Sequence, residues 1–195
     1  MKTKLFTLLL TAALSLGFLS QAQAQQNVLK INPLSLALLT GNVQYERALN
    51  EAMSVQLGVF YTGFSTEIEG IRLGYSGVGI TPEFRYYVSN ARQDAPRGVY
   101  LGPYVRYRNI STSAGDDVDE GAWESNLIGG GLILGHQWLF GDAFVLDMFI
   151  GPGFRSTNTR VVSTSGTITQ DDLLGLGSSG TGVLFRWGLS IGAAF

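Results

Sequence analysis

Cysteine is absent from the 195 residues. That rules out disulfides and the attachment of a lipid at a processed cysteine. Charge is scarce as well: 14% of residues are charged, against roughly 25% in soluble domains. What charge there is leans acidic, with 13 Lys and Arg against 15 Asp and Glu. Nothing in the composition therefore supports binding to nucleic acid, which needs a basic face. Past the first two dozen residues, no apolar run reaches the roughly 18–20 residues of a membrane helix. Histidine occurs once, as His136.

What is present begins with an export signal. Lys2 and Lys4 precede the apolar stretch Leu5 to Leu19, and Ala22-Gln23-Ala24 forms an A-x-A cleavage pattern. The reading assigns 1–24 to a signal peptide, with Ala22 and Ala24 at the cleavage site, and 25–195 to a single domain. At the other end Val183, Phe185, Trp187, Leu189, Ile191, Ala193 and Phe195 share one parity, while Arg186, Gly188, Ser190 and Gly192 share the other. A period of two is a β-strand with two unlike faces.

The same alternation predicts further strands: Asn27–Leu38 (blurring at Pro33), Asn42–Leu49, Met53–Thr62, Ser76–Val88, Gly98–Asn109, Asn126–Trp138 and Phe144–Phe154. With the C-terminal strand they make eight. Thr40-Gly41-Asn42 and Gly141-Asp142 read as tight turns. Gly63–Tyr75, Ile110–Ser125 and Arg155–Gly180 read as long outward loops, alternating with short turns on the other side.

Alternation alone does not say which parity faces inward, but bulk does. The less apolar parity holds many glycines (Gly77, Gly79, Gly129, Gly131, Gly151, Gly153, Gly188 among them) beside charges. Glycine and charge cannot build the dry core of a lipocalin-like barrel or a sandwich. They suit a narrow polar lumen, with the large aliphatics facing lipid. A membrane protein without a spanning helix must be a closed barrel, because lipid leaves no open backbone satisfied. The predicted fold is all-β: an eight-stranded antiparallel transmembrane up-and-down β-barrel.

The segments Leu29-Lys-Ile-Asn-Pro-Leu34 and Asn42-Val-Gln-Tyr-Glu-Arg-Ala-Leu49 resemble the opening hairpin of a domain-of-unknown-function family of small outer-membrane barrels, within the broad OmpA- and OmpX-type group. The C-terminal strand, through Trp187, Leu189, Ile191 and Phe195, resembles the signal that the outer-membrane assembly machinery reads. The resemblance implies fold and outer-membrane location, and it supplies no reaction.

Candidate chemistry concentrates on the inward parity. Lys30, Glu46, Glu83, Arg85, Arg106, Arg108, Asp147 and Arg186 face the predicted lumen, whose width in an eight-stranded barrel is just filled by side chains. Buried charges must pair, so a salt-bridge plug is expected there, with Glu83 and Arg106 as neighbours and Tyr87, Tyr100 and Tyr104 filling space. The acidic run Asp116-Asp117-Val118-Asp119-Glu120 lacks the spacing of a calcium loop and reads, like Asp171-Asp172, as solvated charge. His136 falls on the lipid-facing parity beside Trp138, away from any serine, so an outer-membrane hydrolase is disfavoured. The sequence thus predicts a non-enzymatic outer-membrane barrel without cofactor or metal, with an envelope-structural or surface-contact role through its external loops. Its partners would be outer-membrane lipid, the assembly machinery and some surface ligand of the external loops. A narrow channel for small solutes or ions is the alternative.

Overall fold

The computed structural model describes residues 26–37, 39–68, 71–88, 95–115, 120–141, 143–165 and 179–195. The signal segment, with Ala22 and Ala24, lies outside the described residues. The alternating segments form eight strands: β1 Asn27–Ile31, β2 Thr40–Asn50, β3 Met53–Ile68, β4 Ile71–Tyr87, β5 Gly98–Gly115, β6 Glu120–Phe140, β7 Phe144–Ser165 and β8 Gly180–Ala194. Each is antiparallel to its sequence neighbours, and β1 pairs with β8 to close the barrel. The seam runs to the final residue. The Asn27 N–H donates to the Phe195 carbonyl at 3.1 Å, and the Phe195 N–H returns a bond to Asn27 at 2.9 Å. Closure removes the free edges that an open sheet would present.

Side-chain parity makes this an inside-out barrel. Leu29, Val43, Tyr45, Val55, Leu57, Val59, Val78, Ile80, Leu101, Val105, Leu132, Leu134, Met148, Ile150, Phe185 and Trp187 are all exposed on the outer face. Lys30, Gln44, Glu46, Ser54, Gln56, Glu83, Arg85, Gln137, Asp147, Arg186 and Ser190 are buried on the inner one. Tyr61, Tyr107 and Phe154 mark the upper limit of the apolar belt, and Tyr86, Phe140 and Phe195 its lower limit.

Above the belt the polarity reverses. The outward parity turns polar, through Ser65, Glu67, Arg72, Ser76, Asn109, Ser111, Ser113, Glu124, Asn126, Asn158 and Arg160. The inward parity carries Phe64, Leu73, Tyr75, Ile110, Trp123, Leu127 and Val161 among the hydroxyls of Thr66, Thr112, Ser125, Thr157 and Thr159. A surface that is apolar outside at one height and polar outside just above it has crossed a change of solvent, from lipid to water. β6 and β7 run 21 and 22 residues, where a strand needs about 9–11 residues to cross a bilayer. Register with β2 ends at Thr62 and register with β8 ends at Thr157. Past those points β3 to β7 rise as a curved five-stranded wall.

Several sequence expectations are corrected. Gly63–Tyr75 is not a loop: β3 and β4 run through it, pairing from Gly63↔Ser76 to Ile68↔Ile71. Likewise β5 and β6 occupy most of Ile110–Ser125, and β7 continues from Arg155 to Ser165. Polar residues in these stretches read as loop, yet they are strand positions whose outer face meets water. The first strand stops at Ile31 rather than continuing to Leu38. A short helix follows, α1 Pro33–Ala37, because Asn32 accepts a bond from the Ser35 N–H at 3.0 Å as its N-cap and Pro33 fits the first helical position. Thr40-Gly41-Asn42 is not the turn; it opens β2, with Leu39 in the left-handed region (φ 54°) ending the helix. The β6–β7 connection spans residues 141–143 rather than two residues, since Phe140 pairs with Phe144. Gly141 supplies the positive φ of 59° that this turn requires.

Candidate functional site in the lumen

The belt's interior is built on glycines placed opposite aromatic rings. Tyr100 pairs in register with Gly135, Tyr104 with Gly131, Phe149 with Gly188 and Phe60 with Gly79. The Tyr100, Phe149 and Phe60 rings lie over their partner glycines, and Tyr104 reaches past Gly131 to lie over Gly153. A Cβ at Gly188 would sit 2.5 Å from the Phe149 ring, and one at Gly79 would sit 2.7 Å from Phe60. Alternating glycine and aromatic positions let large rings lie flat across a lumen too narrow for two full side chains per rung. This is the physical reason for the glycine content on the inward parity.

Within that frame the charges of the lower lumen converge. The Lys30 ammonium donates to Glu46 Oε2 at 2.6 Å, Gln137 Oε1 at 2.6 Å and Asp147 Oδ2 at 2.9 Å, using all three of its donors. Arg85 donates through Nη1 to Asp147 at 2.9 Å and through Nε and Nη2 to Glu83 at 3.2 and 2.9 Å. The second oxygen of Glu46 accepts from the Tyr87 hydroxyl and the Ser54 hydroxyl, both at 2.6 Å. That of Asp147 accepts from the Tyr100 hydroxyl at 2.7 Å. Arg186 closes the cluster on Glu83. Lys30, Glu46, Arg85 and Asp147 are all 0% exposed, yet every charge has a counter-charge and geometry to match. Burial without such pairing would cost several kcal/mol per ion. Gln137 also donates to the Pro96 carbonyl, which ties the lower end of the cluster to the residues that lead into β5.

Of the eight inward charges read from the sequence, the structure joins six: Lys30, Glu46, Glu83, Arg85, Asp147 and Arg186. It does not join Glu83 to Arg106. Glu83 stands opposite Tyr104 on β5, one pleat below Arg106, and its oxygens go to Arg85, Arg186 and Gln56. Arg106 instead reaches Thr81 at 3.4 Å and lies 5.9 Å from the Tyr104 ring centroid. Arg108 stacks over Phe60 at 4.6 Å. Charge counting on its own did not show that Ser54, Gln137, Tyr87 and Tyr100 complete the carboxylate shells, although their inward parity was visible. Arg155, assigned to a loop, is the ninth inward charge, on a continuous strand with Gly153.

His136 faces outward and stacks on Trp138, ring centroids 4.2 Å apart. Trp187, Leu189, Ile191 and Phe195 lie along the outer face of β8, paired to β7 and β1. Residues 116–119 of the acidic run and Asp171-Asp172 lie outside the described residues. A cleft of about 370 Å³ lies against the wall, its lining including Phe64, Tyr75, Thr112 and Trp123.

Comparison with known proteins adds the following. No curated protein matches the chain. The crystal structure of CarO from Acinetobacter baumannii is similar over 88% of this chain and 97% of that one, at 10% identity and a TM-score of 0.44, a likeness too distant to bear on function. A profile of proteins of unknown function, DUF3575, matches residues 6–167. The charge-lined, eight-stranded barrel described above therefore belongs to the DUF3575 family.

Proposed function

We propose that this chain is a non-enzymatic outer-membrane barrel, closed to solute flow, that acts at the cell surface through the wall of β3 to β7. The observation that carries the reading is the charged plug. Four fully buried ions and two tyrosines fill the lumen from wall to wall at one level, with every carboxylate oxygen accepting a hydrogen bond. A pore would hold those groups in water. The apolar belt with its aromatic margins supports placement in a bilayer, and the export signal together with the outward residues of β8 supports delivery to the outer membrane by the assembly machinery. The wall, polar outside and built from strands of 16 to 22 residues where about 9–11 cross a bilayer, is the part left free to meet a surface partner.

The test is a deletion strain complemented by the full chain or by a version trimmed of its wall, with β3 joined to β4 at Gly63 and Ser76, β5 to β6 at Asn109 and Asn126, and β7 to β8 at Thr157 and Gly180. Both forms should reach the outer membrane, and only the full chain should restore envelope integrity or surface adhesion. Full restoration by the trimmed barrel would place the function in the belt and favour the narrow channel.

A further inference from the structure

The plug is electrically balanced, with Lys30, Arg85 and Arg186 against Glu46, Glu83 and Asp147. The lumen directly above it is not. Arg106 and Arg108 line it, half-buried, and Arg155 stands exposed at its upper mouth; among the described residues no carboxylate bonds to any of them. Arg106 and Arg155 share one rung, separated only by Gly129. Two strand spacings put their backbones about 10 Å apart, with no side chain from Gly129 between. Arg108 lies one pleat higher on β5, opposite Gly79 and Leu127. Gly129 thus leaves a floor with no side chain of its own between Arg106 and Arg155, and the Phe60 ring covers Gly79 beneath Arg108.

Below this floor Arg186 is 7% exposed and uses only Nη2, on Glu83; its Nε and Nη1 find no hydrogen-bond acceptor, and neither does Arg108 Nε. Arg186 and Arg106 also crowd the same ring, at 4.6 and 5.9 Å from the Tyr104 centroid. Like charges gathered with unused donors in a low-dielectric lumen are costly unless an anion arrives. Above the floor the inner face of the wall offers the apolar side chains of Ile110, Leu127 and Trp123 between hydroxyl-bearing ones.

From this arrangement we propose that the upper lumen is a binding site for a small organic oxyanion of the phosphate monoester class. Its phosphate is held by Arg106, Arg108 and Arg155, and its apolar body lies along the wall toward Trp123. Guanidinium groups match a phosphate's oxygens in planar, paired hydrogen bonds, and a doubly charged head offsets most of the excess. The ligand enters from the outer side and stops at the plug. The site goes beyond the closed-barrel reading, and it is tested by binding rather than conductance, so the two can fail separately.

The experiment uses the full chain in an uncharged detergent, with Trp138→Phe and Trp187→Phe leaving Trp123 as the only tryptophan. Phenyl phosphate is titrated at constant ionic strength. A saturable change in Trp123 emission and a rise in Tm are expected, with affinity falling at least tenfold in an Arg106→Gln/Arg108→Gln variant. Without ligand, that variant should be at least as stable as its parent, since it loses repulsion; a merely structural role predicts a lower Tm. Inorganic phosphate should compete, more weakly, and lipopolysaccharide micelles should not. The proposal is overturned by an absent or non-saturable response, by full binding in the double variant, or by a lower ligand-free Tm in that variant. Displacement by lipopolysaccharide but not by phosphate would overturn the assignment to a soluble solute.

Discussion

At the scale of the residue, the belt rests on two devices: paired buried charge and glycine opposite aromatic. Each makes a prediction. Asp147→Ala strips Lys30 and Arg85 of a shared counter-ion and frees the Tyr100 hydroxyl, so it should destabilise the barrel by about 3–5 kcal/mol, read from urea unfolding in lipid vesicles. Arg186→Gln should also destabilise, because Glu83 loses a partner, whereas Arg106→Gln should cost nothing measurable. Equal effects at the two arginines would mean that Glu83 is shared as the sequence had implied. Gly188→Leu forces its Cβ into the Phe149 ring and should cost about 1–3 kcal/mol or more in the same assay. Phe149→Ala in the same chain should return part of that loss. The inward position of eight charges was legible in the sequence, because parity is local. Their pairing was not. Which inward residue meets which depends on strand stagger around a closed barrel, and a one-pleat offset sent Glu83 to Arg186 rather than Arg106.

At the scale of the element, the eight strands were legible and their lengths were not. Segments such as Ser65–Glu67 and Arg72–Ser76 look like loop because hydrophobicity falls, but the alternation continues through them: Phe64, Thr66 and Ile68, then Ile71, Leu73 and Tyr75, share one parity. The signal was present with its polarity inverted, since the outer face there meets water instead of lipid. This bears on proteolysis of intact cells. Trypsin should fail to cut after Arg72, which lies inside the paired β3–β4 hairpin, where a loop reading would predict ready cleavage. Rapid cutting at Arg72 would show that the hairpin does not persist. The opening segment misled for a different reason. Asn32-Pro33 carries a helix start that strand periodicity does not register. At the other end, replacing Phe195 with Ser should lower the amount of protein in the outer membrane. Purified variant refolded into detergent should keep most of its stability, because the Phe195 side chain lies on the outside and its backbone bonds to Asn27 survive the substitution. Normal outer-membrane levels would count against an assembly role for that residue.

At the scale of the whole molecule, three zones stack along one axis: a charge-neutral cluster, an arginine-lined level above it, and a wall of five strands whose outer face is polar. The boundary between the apolar belt and the polar outer face of the wall fixes where the bilayer ends. It puts the plug inside the membrane and the wall beyond it. The proposal that rests on this arrangement is a barrel closed to ions. The most direct test is steady conductance of the purified wild-type protein in a planar lipid bilayer, with orientation and insertion verified by protease protection. The account predicts no steady current above the bare membrane at any applied voltage, because Lys30, Glu46, Arg85 and Asp147 bind one another across the full lumen. A stable, ohmic current carried by single inserted barrels would contradict it, for the charges would then be separately hydrated and the lumen open.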